Sequence, residues 1–327
     1  MVYVMLQINL TDREYYGLLS TSMILVEWLC RLNPLPHLFC YLVSDCAWIC
    51  VDEDTINRPR SELILHHVAT IMSILCEYLC PDAFTFNLFM LLEINTVILL
   101  LKKNYRTRFL KYLLRYTWII ARLFILPYAL YYHKFYVLPG RDSIYGVLHL
   151  GPVILYILSV QWSLQMNFPW VLRDKETRYS SFFLLVPLIN NNINSQWYTC
   201  IILLGLFSYL FHNSRGNIYL NSGDNASIVC CCILSCWENP SVFYMGTLYM
   251  LFFLIRMNNF VFLHHCVYEM TLVYNMYFRS HLIPYIIPTI CGYYWMQNTG
   301  NTYLWHIGNG FYMLGVSSDL FGDKYVT

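Results

Sequence analysis

Residues 62–80 read Glu62-Leu63-Ile64-Leu65-His66-His67-Val68-Ala69-Thr70-Ile71-Met72-Ser73-Ile74-Leu75-Cys76-Glu77-Tyr78-Leu79-Cys80. Two adjacent histidines stand in a run that is otherwise mostly apolar. About 20 such residues wound as a helix cross the ~30 Å hydrocarbon core of a bilayer. On that ruler the run is a membrane span, and the chain around it reads the same way. Tyr15–Arg31 and Pro36–Val51 precede it, and Ala83–Leu101, Leu110–Tyr132 and Ile144–Met166 follow, about six spans in all. Polar stretches separate them, and Pro34, Pro36, Pro81 and Pro139-Gly140 sit where the chain must reverse.

Bulk composition agrees. The 327 residues are 58% hydrophobic and only 12% charged, with a mean hydropathy of +0.46. A soluble domain carries about 25% charged residues, so lipid is expected to be the solvent for much of this surface. The net charge of +1 leaves no basic field to hold a polyanion, which excludes nucleic acid as a partner. The 13 cysteines include no C-x-x-C pair, and many lie inside apolar runs. They read as small apolar residues rather than a disulfide framework.

The charged run Arg173-Asp174-Lys175-Glu176-Thr177-Arg178 marks a boundary. Three parts are expected: a six-span domain at 1–172, a charged linker at 173–180, and a second bundle at 181–327. The second bundle opens on the short piece Phe182–Ile189. Apolar runs follow near Gln196–His212, Asp224–Trp237, Val242–Arg256, Phe260–Tyr277, Leu282–Met296 and Thr302–Ser317. The fold class is all-α, a polytopic transmembrane helix bundle of about 12–13 spans in two successive bundles. Arg13, Arg58, Arg60, Lys102, Lys103, Arg106, Arg108, Lys111, Arg173, Lys175 and Arg178 fall on one side of the six-span arrangement. Arg31, Lys134 and Arg141 fall on the other. The positive-inside rule then places the N-terminus in the cytoplasm, with an endomembrane such as the ER as the expected location.

Ionisable groups in hydrocarbon need a partner, a wet cavity or a function. The first half has Asp45, His66, His67, Glu93, Arg115 and Arg122. Helix neighbours point about 100° apart, so at most one of the two histidines faces a given partner. His66 or His67 is expected to meet Asp45 or Glu93, and Arg122 to neutralise the remaining carboxylate. Two readings stay open: a satisfied cluster that fixes helix packing, or a lipid-headgroup or acid–base site. In the second half the corresponding set is Ser208, His212, Asp224 and His306. Ser208 and His212, four apart, share a helical face.

The elements Tyr41-x-x-x-Asp45, Leu65-His66-His67, Glu93-x-Asn95-Thr96 and Arg122-x-x-x-x-Pro127 resemble the TLC domain over residues 15–170. That is the membrane family that includes ceramide synthases and several lipid-regulating proteins that are not synthases. Ceramide synthases carry a His-Asp and a further Asp where this chain has Met90-Leu91-Leu92-Glu93. The resemblance therefore implies a protein that handles membrane lipids or regulates their composition, with membrane lipids as partners. Acyl transfer with His66 or His67 as base is the alternative. A weaker resemblance links the second half to the seven-span hydrolase superfamily of alkaline ceramidases and progestin/adiponectin-type receptors. It implies zinc on His212 and His306, with Ser208 and Asp224 in support. Thr302 stands where a third histidine belongs, so either the metal is lost or His264, His265 or a cysteine of the 230–232 run completes the shell. A transporter or receptor is the remaining reading.

Overall fold

The computed structural model describes residues 10–51, 60–105, 107–167, 176–214, 217–238, 287–289, 291–292, 295, 298–299 and 303–321. Its elements are all helices, with no strand among the described residues. Four of them are long and apolar enough to cross a membrane: Arg60–Leu79, Ala83–Tyr105, Arg108–Val137 and Ser143–Met166. Leu35–Val51 and Tyr179–Ile189 are shorter apolar helices. The chain is a multi-pass, all-helical membrane protein. The runs expected near 242–256 and 260–277 lie outside the described residues, as do Arg173, Asp174 and Lys175 of the expected linker.

Two compact units emerge, Met1–Leu138 with Gly151–Ser163, and Pro139–Leu150 with Leu164–Thr327. In the first, α1 (Asp12–Leu29) opens on a capping box. Thr11 Oγ1 accepts the Glu14 N–H at 3.3 Å, and Glu14 Oε2 accepts the Thr11 N–H at 3.2 Å. It closes on a Schellman turn: the Leu32 N–H reaches the Glu27 carbonyl at 2.8 Å and the Arg31 N–H reaches Trp28 at 3.0 Å. Arg31 sits at φ 59°, in left-handed space that normally takes glycine. Helix α2 (Leu35–Val51) packs on α1 and on α3 (Arg60–Leu79), and α1 packs on α4 (Ala83–Tyr105). Ile24, Leu38, Tyr41, Leu42, Ile74 and Met90 form a buried core among these helices.

Helix α5 (Arg108–Val137) is capped by Thr107, whose Oγ1 accepts the Leu110 N–H. It is longer than the expected Leu110–Tyr132, and it is wound as π-helix over Ile119–Ile125 and His133–Val137. Pro127 lies between these segments and has no N–H to give the ladder. π winding carries more residues per turn than α, so a mixed helix repeats close to every fourth residue. Accordingly Leu114, Trp118, Arg122, Leu126, Leu130 and Lys134 are all buried, while Tyr112, Tyr116, Ile120, Phe124 and Tyr128 are all exposed. The outer stripe is a lipid-facing surface of large apolar and aromatic side chains. Lys134 is 0% exposed and inside the helix. It is therefore not a loop cation, which leaves Arg31 and Arg141 of the three cations expected on that side.

Helix α6 (Ser143–Asn167) contributes Gly151–Ser163 to the first unit. A Cβ on Gly151 would lie 2.5 Å from the Ala69 carbonyl oxygen and 2.6 Å from Met72 Cβ, so α6 and α3 touch backbone to backbone.

The second unit holds a 3-10 helix over Glu176–Ile189, then α7 (Ser195–His212), α8 (Ile218–Glu238) and α9 (Tyr303–Phe321). The 3-10 helix packs against α7 and α9, and α7 against α8. Asn194 caps α7, its Oδ1 accepting the Trp197 N–H at 2.8 Å. Leu184, Leu204 and Cys231 form a small core. His149 Nε2 and Tyr198 Oη, both buried, hydrogen bond at 2.8 Å.

Candidate functional site

Asp45 is the centre of the first polar cluster. It is 3% exposed on α2. Arg13, from the first turn of α1, grips it with two hydrogen bonds, Nε to Oδ1 at 2.7 Å and Nη2 to Oδ2 at 2.8 Å. His67 on α3 completes the set, its Nε2 lying 2.6 Å from Asp45 Oδ2. An ionised carboxylate only accepts, so His67 donates through Nε2. Its buried Nδ1 has no hydrogen-bond partner among the described residues. The fork geometry of Arg13 satisfies the carboxylate where a point charge would not. Such an arrangement can hold an imidazole in one orientation, as a packing device or as an oriented base.

His66 faces elsewhere. It lines a small cavity among α2–α6, about 50 Å³ in volume. From α3 the wall receives His66, Thr70, Ser73 and Glu77, whose spacing keeps one helix face. This polar stripe runs along about 16 Å of helix rise. Apolar side chains of Phe86, Phe89 and Met90 on α4 form part of the opposing wall, with Glu93 farther along the same helix and Arg122 on α5. Glu77 closes the far end. Its Oε1 accepts the Asp82 N–H at 2.7 Å, and its Oε2 has no hydrogen-bond partner among the described residues. A mostly apolar lining with a few polar groups set into it suits an amphiphile better than an ion.

Aromatic rings tie this wall together. The Arg122 guanidinium lies 5.3 Å from the Trp118 ring centroid. Trp118 and Trp162 are 6.1 Å apart, and Trp162 meets His66 edge-on at 5.1 Å. Trp162 Nε1 donates to the buried Glu62, which also accepts from Gln161 Nε2 at 3.3 Å. Trp118 Nε1 donates to Ser163 Oγ at 2.9 Å. Asn95, 1% exposed on α4, donates to the Thr117 carbonyl at 3.4 Å.

Of the expected residues, then, the structure brings His67 to Asp45 and places His66, Glu93 and Arg122 around the cavity. Arg115 belongs to neither group and is exposed on α5. Seven residues of α-helix would nearly restore the face of Arg122, but the π winding that starts at Ile119 puts the two on different faces. Arg13, Glu62, Glu77 and Trp162 were not singled out. The four-three-four spacing of His66, Thr70, Ser73 and Glu77 is the signal that would have found Glu77.

In the second unit Ser180 Oγ and His306 Nδ1 hydrogen bond at 2.7 Å, both buried. His212 approaches from the last turn of α7, its ring 4.9 Å from that of His306 and inclined at 65° to it. Ser208 shares the face of His212 but bonds to Ser181, Oγ to Oγ at 3.2 Å. Asp224 lies on α8, where its carbonyl accepts from Ser227 Oγ. Among the described residues no group of three His, Cys, Asp or Glu side chains converges on a metal position. Thr302, His264 and His265 lie outside the described residues, as does the side chain of Cys232. Among the described residues, then, two imidazoles approach each other without a third ligand, one short of the zinc shell that the resemblance implies.

The family model of the TLC domain matches residues 37–168. That stretch contains Asp45, His66, His67, Glu93 and Arg122. No curated protein and no solved structure matches the chain significantly.

Proposed function

We propose that the first unit binds a membrane lipid in the cavity between α3, α4 and α5 and thereby sets membrane lipid composition, sphingolipid of the ceramide type or phospholipid. The observation that carries this reading is the cavity itself, a polar stripe on α3 facing apolar α4 side chains inside a segment that matches the TLC domain. An acyl chain would lie against Phe86, Phe89 and Met90, and polar headgroup atoms against His66 and its neighbours. The cation bias of the loops supports a cytoplasmic N-terminus, and lipid handling of this kind suits an endomembrane such as the ER.

The test is lipid profiling of membranes that express the wild-type chain, His66→Ala or the cavity-filling Ser73→Phe at equal abundance. The wild type should shift the sphingolipid or phospholipid profile, and both variants should return it to that of membranes lacking the protein. An unchanged profile with the wild type would remove this reading.

A second reading, acyl transfer to an amine, is favoured by the Asp45–His67 pair, because a base must take the amine proton as the amide forms. Loss of amide product on His67→Ala in a purified assay with acyl-CoA and a sphingoid base would support it. For the second unit, the approach of His212 to His306 favours a ceramide amidohydrolase. Metal analysis of the purified chain, repeated on His212→Ala, decides that proposal.

A further inference from the structure

Arg122 sits near the middle of α5, a 30-residue apolar helix, and is 5% exposed. Its Nε is buried with no hydrogen-bond partner among the described residues. Arginine does not shed its proton in a protein, so the positive charge stays. A buried guanidinium without a hydrogen-bonded partner is unfavourable, and in hydrocarbon more so. The Trp118 ring offers only its face. Glu93 lines the same cavity, yet no ion pair joins it to Arg122 among the described residues. Arg122 is therefore a cation with an unused donor on the wall of a cavity, where Glu93 is near enough to act on its charge and does not take its hydrogen bond.

We propose that Arg122 anchors the acidic group, a carboxylate or a phosphate, of an amphiphile held in this cavity. The assignment rests on the lipid-binding reading above and deepens it. A guanidinium offers a planar fork to two oxygens of one acid group, the geometry both carboxylate and phosphate satisfy. Glu77, also in the wall, presents an acceptor, Oε2, and does not compete for an anion. The apolar α4 residues then receive the chain of the same molecule.

The test uses the purified full-length chain in neutral phosphatidylcholine nanodiscs with three probes: oleate, dioleoyl phosphatidic acid and uncharged oleyl alcohol. Oleate or phosphatidic acid should bind the wild type more tightly than oleyl alcohol does, and whichever binds better identifies the acid. Arg122→Gln should weaken that probe about tenfold or more, the worth of a charge-assisted bond pair, and leave oleyl alcohol unchanged. Arg122→Lys should keep part of the affinity. Glu93→Gln, which removes a nearby negative charge, should tighten the acidic probe. Acidic probes that bind the wild type and Arg122→Gln equally would overturn the Arg122 assignment and spare the lipid reading. So would a Glu93→Gln variant that loses them as fully as Arg122→Gln does. If none of the three probes binds the wild type, the lipid reading itself falls.

Discussion

His67 and Asp45 share a 2.6 Å hydrogen bond, and the carboxylate that accepts it is simultaneously gripped by Arg13. One side chain on α2 thus binds α1 and α3 at once. Removing one member of a buried charged set leaves the others uncompensated, which costs about 3–5 kcal/mol. Asp45→Asn should therefore lower the melting temperature of the detergent-solubilised protein by many degrees. Replacing all three partners, as Arg13→Met, Asp45→Leu and His67→Leu together, should recover most of that loss. An Asp45→Asn protein that melts with the wild type would show that the cluster carries no stability.

Arg31 ends α1 in left-handed space at φ 59°. Glycine takes that conformation without the Cβ penalty, so Arg31→Gly should stabilise by about 1 kcal/mol. Arg31→Val should destabilise, because a β-branched side chain suits the position least. Thermal melts of the two variants must move in opposite directions, and a shared direction would exclude the capping argument.

Gly151 allows α6 to touch α3. A methyl group there meets the Ala69 carbonyl oxygen at 2.5 Å, and backbone cannot step aside. Gly151→Ala should cost about 1–3 kcal/mol, the usual penalty of overpacking. Gly17→Ala is the matched control, since its nearest neighbour is the Tyr41 hydroxyl at 3.3 Å, the end of a side chain. Equal melting temperatures for the two variants would contradict the close approach.

Glu14 lies ahead of the apolar part of α1 and bonds to Lys103 of α4. Partial burial pushes its carboxyl up, but Lys103 and Thr11 outweigh this and hold it below its ordinary value of 4.5. A depressed carboxyl adds stability above its unfolded pKa and loses it as pH falls through the folded value. The contribution is small, because Lys103 is 42% exposed and screened by solvent. Lys103→Gln should leave the melting temperature nearly flat from pH 7 to 5 and make its decline below about pH 4.5 shallower than in the wild type. An identical acid limb in both proteins would rule the pair out.

Much of the first unit was legible from apolar run length, because backbone in lipid has few alternatives to helix. That one of the two histidines meets a carboxylate, Asp45 or Glu93, was legible too, since adjacent residues cannot face the same way. Which histidine and which carboxylate was not, because that depends on how α3 turns against α2 and α4. Arg13 was read as a loop cation for a similar reason: only the packing of α1 brings its first turn to Asp45. Lys134 was read as a loop cation because the span was expected to end at Tyr132, whereas α5 continues to Val137; Arg115 was grouped with the interior charges, and the phase of α5 turns it outward. In the second unit, Ser180 meets His306 across a large sequence separation, and no local pattern announces such a contact.

The four-residue repeat of α5 has an evolutionary consequence. A π turn takes up about one more residue than the α turn it replaces. Deleting one residue between Ile119 and Ile125 would therefore let this stretch relax to ordinary winding while the side chains beyond it stay close to their present faces. The interior set past that point, Leu126, Leu130 and Lys134, survives such a loss. Evolution can shorten this helix by one codon there without re-dealing the charges that the bundle encloses.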